Sequence, residues 1–382
     1  MAALAYSQAV QLAPVAGHVE FPWHQDLDVP LFPQLSNRHV QAEALHRLHE
    51  MLDGIDKWQR HPYRRIEGDF PVIWSDGTSR LIDYGSGGAP VLVLPSFINK
   101  AYVLDLLPER SMLQYFSAAG LHPYLLDWGP PSNLEQNFNL DAYCSRRLLP
   151  ALAAVTVHAG SAPALLGYCM GGTLAAGLAS QTAQTSGLVT IGAPWSFGQS
   201  DGILGQMKTA SNLLGATKIE AALSQAAEIF GYIPVDVLQS LFAIINPIQA
   251  AKKFRHFAQT DQSSQKAKVF VALEDWLTDG VPLAGPLAQD VIVGWQLRDT
   301  PINGRWNLMG QRVNPAKTTC PTLIVTGAKD TISPPNQSRP LASAIPGAVN
   351  LHVEMGHVSM VTGSNAQINV WQPIAEFITK HF

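Results

Sequence analysis

The chain reads as an α/β protein: a mostly parallel sheet with helices on both faces, interrupted by a helical insertion. Three observations predict this. Short, fully apolar runs such as Val91-Leu92-Val93-Leu94 and Leu188-Val189-Thr190-Ile191 have the character of strands buried on both faces. They alternate with helical stretches, as parallel strands joined by crossover helices require. From about Trp195 to Trp306 the strand signal disappears and helical periodicity takes over, before strands return.

The elements follow in order. Residues 1–36 are rich in Pro and aromatics, with Phe21-Pro22-Trp23 and Pro30-Leu31-Phe32-Pro33, and are expected to wrap over the surface. Met1 to Pro14 lacks a basic n-region and reads as a lead-in rather than a signal peptide. From Asn37 to Gln59, Leu45, Leu48, Leu52 and Ile55 recur at helical steps. That stripe suits a helix docked on its own core or one that binds a partner. Val72-Ile73-Trp74 and Arg80 to Tyr84 flank an Asp76-Gly77 turn, a hairpin signature. Strands are expected at 91–94, 124–128, 164–166 and 188–191, with helices at 111–119 and 173–179. Within the insertion the helical patterns are Val235–Ile245 and Leu283–Leu297. Strands at 322–326 and 349–353 and a helix from Trp371 to His381 complete the chain, Pro373 being tolerable in a first turn. The expected organisation is an N-terminal extension with one amphipathic helix (1–64), a first core segment (65–195), a helical cap insertion (196–306) and a second core segment (307–382).

Composition narrows the function. The 382 residues are 47% hydrophobic and 14% charged, which describes a globular chain able to bury a large core. The net charge is −4 and no Lys/Arg run occurs, so nucleic-acid binding has no electrostatic footprint. No apolar stretch approaches the roughly 18 residues of a transmembrane segment, although peripheral attachment to an apolar surface stays open. Cys144, Cys169 and Cys320 are too widely spaced for a zinc pattern or a disulfide framework, which suits a reducing cytoplasm.

Chemistry concentrates at Gly167-Tyr168-Cys169-Met170-Gly171-Gly172, placed between the strand at Ala164 and the small-residue helix that follows. This is the pattern of a nucleophile elbow with Cys in the place of the usual Ser. A Cys in a lone Gly-x-Cys-x-Gly could equally be an apolar filler; the double glycine, the strand before it and the partners below favour the nucleophile. A thiol nucleophile needs a base, and the base needs an orienting acid. Asp330 follows the strand 322–326, and His357 follows the strand 349–353, in the order Cys, Asp, His. Asp in such a loop also caps helices and forms turns. Asp275 and Asp279, inside the insertion, are weaker rivals, and His352 within its strand reads as structural. The oxyanion donors expected are the Met170 N–H and a backbone N–H near Ser96 or Phe97, in the loop Pro95-Ser96-Phe97-Ile98-Asn99-Lys100, whose other reading is an ordinary capping loop. Gly85-Ser86-Gly87-Gly88 lacks dinucleotide spacing, no Walker Lys follows the elbow, and no His-Glu-x-x-His exists, so no cofactor and no metal are expected.

With these residues in place, the chain resembles the polyhydroxyalkanoate synthases, enzymes of α/β-hydrolase fold with a Cys nucleophile. Pro95 to Lys100 with Ala101-Tyr102-Val103-Leu104-Asp105-Leu106 is similar to the family's Pro-Pro-x-Ile-Asn-Lys segment leading to Tyr-x-Leu-Asp-Leu, with Ser96 in the place of the second Pro. Asp127-Trp128-Gly129 resembles its Asp-Trp-Gly motif. Gly231-Tyr232-Ile233-Pro234, Asn246-Pro247 and Leu273-Glu274-Asp275-Trp276 resemble the cap of the short, class III catalytic subunits, although 275–280 follows it only loosely. The resemblance runs from about residue 65 to the C-terminus and does not extend to the first 60 residues.

It implies that Cys169 is acylated by 3-hydroxyacyl-CoA, with His357 as base and Asp330 as third member, and that a growing polyester is made with release of CoA. It also implies an accessory synthase subunit, a homo-oligomer and a cytoplasmic, polymer-granule-associated location. The alternatives on the same site are an acyl-CoA thioesterase, an esterase or a depolymerase-like hydrolase. A further one is a catalytically idle, granule-associated scaffold.

Overall fold

The computed structural model describes residues 38–199, 215–239 and 247–382, with positions 202, 205, 208 and 209. The expected wrap of 1–36 lies outside them. So does most of the helix expected over 235–245, of which 235–239 are helical. The chain divides into two compact units, residues 1–64 with 239–272 and residues 65–238 with 273–382.

In the first unit the helix Arg38–Arg60 packs on the helix Pro247–Ala258. The stripe read from the sequence is not the face that docks on the second helix, and Ile55 of that stripe is half-buried. Leu45, Leu48 and Leu52 are exposed, whereas Met51 and Gly54 are buried and Trp58 meets Phe254 at 5.7 Å. Shape decides this: the face without bulk at Gly54 lets the second helix approach closely, and spacing alone does not reveal which face does so. Glu50 accepts from Arg255 at 2.8 Å, and Lys57 donates to the Ala258 carbonyl. A small core of Phe257, Ala267 and Val271 lies beside this pair.

The second unit is built on an eight-stranded sheet. In chain order its short and long strands are β1 (Val72–Asp76), β2 (Ser79–Asp83), β3 (Ala89–Leu94), β4 (Leu121–Asp127), β5 (Ala164–Tyr168), β6 (Gly187–Ile191), β7 (Tyr232–Ile233), β8 (Leu283–Ala284), β9 (Asn307–Leu308), β10 (Gln311–Arg312), β11 (Thr322–Gly327) and β12 (Val349–Val353). The sheet order is β1-β2-β4-β3-β5-β6-β11-β12. β1 and β2 form the expected hairpin, with Asp76 opposite Ser79 across the turn. β2 is antiparallel to β4, and every pairing from β4 to β12 is parallel. Leu92, Leu94, Leu165, Leu188 and Ile324 are fully buried, as their unbroken apolar runs require. The mostly parallel sheet with flanking helices is the α/β class that the sequence predicts.

Two expectations need correction. The segment from Trp195 to Trp306 is not free of strand, because β7 pairs antiparallel with β8. Two-residue strands leave no detectable period. The helix expected over Leu283–Leu297 therefore starts later, at Gly285, and widens into a π-helical stretch over Gln289–Leu297. The last helix, conversely, is preceded by a π-helical turn at Gln367–Trp371 and runs from Gln372 to His381.

Candidate active site at the carboxyl end of the sheet

β5 ends at Tyr168, and the helix Met170–Ala179 starts one residue later. Cys169 makes the whole turn itself, at φ 55° and ψ −127°. A non-glycine residue in that region carries strain of about 1–3 kcal/mol, held in place by its surroundings. Here the restraint is visible on both sides. The Cys169 N–H donates to the Ile191 carbonyl at 2.9 Å, and its own carbonyl accepts from the N–H groups of Gly172 and Thr173. Gly171 is needed for close approach: a β-carbon there would lie 2.4 Å from both the Leu94 and Pro95 carbonyl oxygens. The missing side chain lets the helix start press against the end of β3.

Asp330 and His357 converge on this turn. Asp330 follows β11, and His357 lies in the loop after β12. His357 Nδ1 lies 2.7 Å from Asp330 Oδ2. The other carboxylate oxygen, Oδ1, accepts from the N–H groups of Ile332 and Ser333 at 2.9 and 2.8 Å, so Asp330 is fixed by its own loop. The Cys169 side chain is close enough to the same imidazole to act on its protonation. Gly192, with φ +58°, makes room: a β-carbon there would sit 3.0 Å from His357 Nδ1 and 3.2 Å from Asp330 Oδ2. Asp330 and His357 are both buried. Burial opposes a charged imidazole, but the Asp330 carboxylate and the Cys169 sulfur outweigh it and hold His357 well above its ordinary value.

The remaining candidates sort cleanly. Met170 occupies the first helical position, where a backbone N–H has no intrahelical acceptor. Phe97 is buried, stacked on Trp128 at 5.0 Å and edge-on to Tyr143 at 5.6 Å, so its side chain is committed to packing. Trp128 Nε1 donates to the Pro95 carbonyl at 3.1 Å, which pins the peptide plane ahead of Ser96. Asp279 is spent elsewhere: it pairs with Lys100 Nζ at 2.7 Å and accepts from the Tyr102 hydroxyl at 3.4 Å. With Trp276 Nε1 donating to the Lys100 carbonyl and the Val281 N–H to that of Ile98, it holds the loop after β3. Asp275 lies on the helix Gln265–Thr278 and is not the carboxylate that holds the imidazole. His352 stays on β12, against the Thr326 hydroxyl at 2.9 Å.

Sequence reasoning missed two neighbours. Tyr168 lies with its ring 5.0 Å from the His357 ring, and its buried hydroxyl has no partner among the described residues. Its position beside Cys169 was the available signal. Gly192 ends the strand next to the elbow strand, and nothing local marks it. Of the other thiols, Cys144 is pushed up to about 12 by burial and then by Asp141, and burial also raises Cys320. Both read as packing residues.

The chain belongs to the alpha/beta hydrolase fold family, whose sequence pattern matches residues 130–364. A second pattern, the N-terminal region of poly-beta-hydroxybutyrate polymerase (PhaC), matches residues 72–116, and the resemblance to polyhydroxyalkanoate synthases is borne out by the relatives. The poly(3-hydroxyalkanoate) polymerase subunit PhaC of Haloarcula marismortui is 28% identical over 328 residues, covering 81% of this chain and 67% of the relative. That of Haloferax mediterranei is 27% identical over 322 residues, covering 81% and 63%. That of Allochromatium vinosum is 26% identical over 296 residues, covering 76% and 81%. The chain thus spans about two thirds of the two haloarchaeal relatives. Among solved structures, a putative non-heme bromoperoxidase BpoC of Mycobacterium tuberculosis is similar in fold, with TM-score 0.50 and 14% identity over 83% of this chain and 100% of that one. DcsB in complex with its substrate analogue gives TM-score 0.50 and 16% identity over 82% and 99%.

Proposed function

We propose that this chain is an acyltransferase that polymerises 3-hydroxyacyl-CoA into polyhydroxyalkanoate through a covalent thioester on Cys169. The observation that carries the reading is a thiol in a strained elbow beside a buried imidazole–carboxylate pair at 2.7 Å, in a chain related to polyhydroxyalkanoate polymerases. His357 takes the Cys169 proton, and the thiolate attacks the thioester carbonyl. Asp330 keeps the imidazole in the tautomer that presents Nε2 to sulfur. The tetrahedral oxyanion is received by the Met170 N–H and by an N–H of the Ser96–Phe97 loop. CoA leaves as a thiol with the proton held by His357, and the acyl group stays on Cys169. Exchange of one thioester for another is nearly balanced in energy, which suits a sulfur nucleophile.

The hydroxyl of a second 3-hydroxyacyl unit then attacks the Cys169 thioester, giving up its proton to His357; the acyl C–S bond breaks, the ester forms, and Cys169 departs as the thiolate and takes that proton back from His357. Water must lose this competition, and residues 196–306 are the proposed cap that excludes it. No step calls for a cofactor; acyl-CoA is substrate. No described helix is long and apolar enough to cross a membrane. Attachment to the polymer surface, self-association and an accessory subunit belong to this proposal too.

The test is incubation with 3-hydroxybutyryl-CoA, following free CoA and the fate of the acyl group together. CoA release with insoluble polymer is expected, and Cys169→Ala should abolish both. Release of free hydroxy acid alone would make the chain a thioesterase; acylation of the Cys169→Ala protein would remove Cys169 as nucleophile.

A further inference from the structure

At the amino end of the same sheet lies a second polar cluster that the reaction does not use. It is assembled from Asp83 at the end of β2, His122 near the start of β4, and His158 in the last turn of the helix Leu149–Ala159. One ligand-type atom from each lies within 4.8 Å of the others. His122 Nε2 is 2.7 Å from Asp83 Oδ1, and His158 Nε2 is 3.9 Å from Asp83 Oδ2.

Both imidazoles turn their other nitrogen, Nδ1, to the same atom. The Tyr124 hydroxyl lies 2.9 Å from His158 Nδ1 and 3.2 Å from His122 Nδ1. Tyr124 itself is fully buried and stacked on His122 at 4.3 Å, so this phenol is a rigid post. It directs both Nε2 atoms at one carboxylate, as outer-shell partners do for metal-bound histidines. Asp83 is held further by the Gly85 N–H, at 2.7 Å from Oδ1, and no Lys or Arg neutralises it among the described residues.

We propose that Asp83, His122 and His158 form a binding site for a first-row divalent metal ion, with Zn²⁺ the best match. Two imidazoles and a carboxylate are a ligand set for such ions rather than for Mg²⁺ or Ca²⁺. A tetrahedral ion with bonds of about 2.0–2.1 Å sets its ligand atoms about 3.3 Å apart. The two imidazoles approach different oxygens of the Asp83 carboxylate, at 2.7 Å (Oδ1) and 3.9 Å (Oδ2), and one ligand atom from each of the three residues lies within 4.8 Å of the others, so binding calls for side-chain rotation that draws them onto a common centre. His158 is 45% exposed, which gives the ion a way in and leaves a fourth position to water.

The site is remote from Cys169. His122 lies in register with Pro90, and Val91 with Ala164, which places the cluster at the level where β5 begins. Cys169 is a strand length away, roughly 20 Å at about 3.3 Å per residue. A bound ion would therefore staple β2, β4 and the helix Leu149–Ala159 together, and it would stabilise the fold without entering the chemistry.

The experiment is calorimetric titration of the full chain, stripped with EDTA, with Zn²⁺, alongside thermal unfolding with and without the ion. One Zn²⁺ per chain and a raised unfolding midpoint are expected. His158→Ala, at a half-exposed helix end, should fold normally yet weaken binding at least about tenfold and lose the thermal shift. Tyr124→Phe removes only the post and should weaken binding by about ten- to a hundredfold. Absence of Zn²⁺ binding overturns the proposal. So does an affinity and thermal shift unchanged in His158→Ala, because the ion would then sit on other side chains.

Discussion

The two ends of the sheet each hold a histidine ring nitrogen 2.7 Å from an aspartate oxygen, yet they are built for different work. At the carboxyl end the pair is His357 with Asp330. The imidazole is buried, and beyond it lies a sulfur on a backbone held at φ 55°. At the amino end the pair is His122 with Asp83. Beyond that imidazole lie a phenol and a second imidazole, none of them on a strained residue. A hydrogen-bonded His–Asp couple is therefore no signature of catalysis by itself. In the two proposals above the third group decides: a thiol held in a strained turn suits one couple to proton transfer at the imidazole, and a second imidazole with a phenol behind it suits the other to holding an ion.

The sharpest way to break this comparison is to make the same change at both ends. Asp330→Asn should lower acyl transfer by about 10⁴, through loss of the correct imidazole tautomer. Asp83→Asn should leave the rate within a few-fold and act only on stability. Parallel single-turnover assays of the two proteins decide it, and equal losses would erase the distinction drawn here.

Gly171→Ala comes next. Its β-carbon meets two carbonyl oxygens at 2.4 Å, so the helix start must withdraw from the loop after β3. If an oxyanion donor sits on that loop, the rate should fall by about 10²–10³ with the fold retained, measured as kcat on a folded sample.

The smallest effect is on stability against pH. His357 is raised above its unfolded value of about 6.5 by groups that outweigh its burial. Its contribution is fully present below that pH and is lost as pH climbs through the raised value. Within that window stability should decline with rising pH, by at most about 1.4 kcal/mol per unit. The difference in unfolding midpoint between the native chain and His357→Gln should shrink accordingly; a difference that grows with pH would reverse the sign assigned to this pair.

Much of the carboxyl end was legible because its signals are local. The elbow glycines, the apolar run before them and the loops after β11 and β12 each span a few residues, and chain order did the rest. The β1–β2 hairpin was legible for the same reason, since its turn residues lie between its strands. The amino-end cluster was not. Asp83, His122 and His158 come from three separate elements, and only the sheet order brings them together. Nor was the buried face of the first helix, where the absence of a side chain at Gly54 outweighs a regular row of leucines. Two-residue strands such as β7 and β8 lie below any periodic signal, as tertiary pairing alone defines them.

Gly192 has a consequence for how this protein tolerates change. It contributes no side-chain atom and touches no substrate in the proposed reaction, yet the His357–Asp330 pair occupies the volume any larger residue would fill. In a saturation library it should be as intolerant as Cys169, and activity scores alone would rank it among the chemical groups. Its role is spatial, a reserved vacancy. A pocket redesign that adds atoms beside His357 must therefore start from another wall.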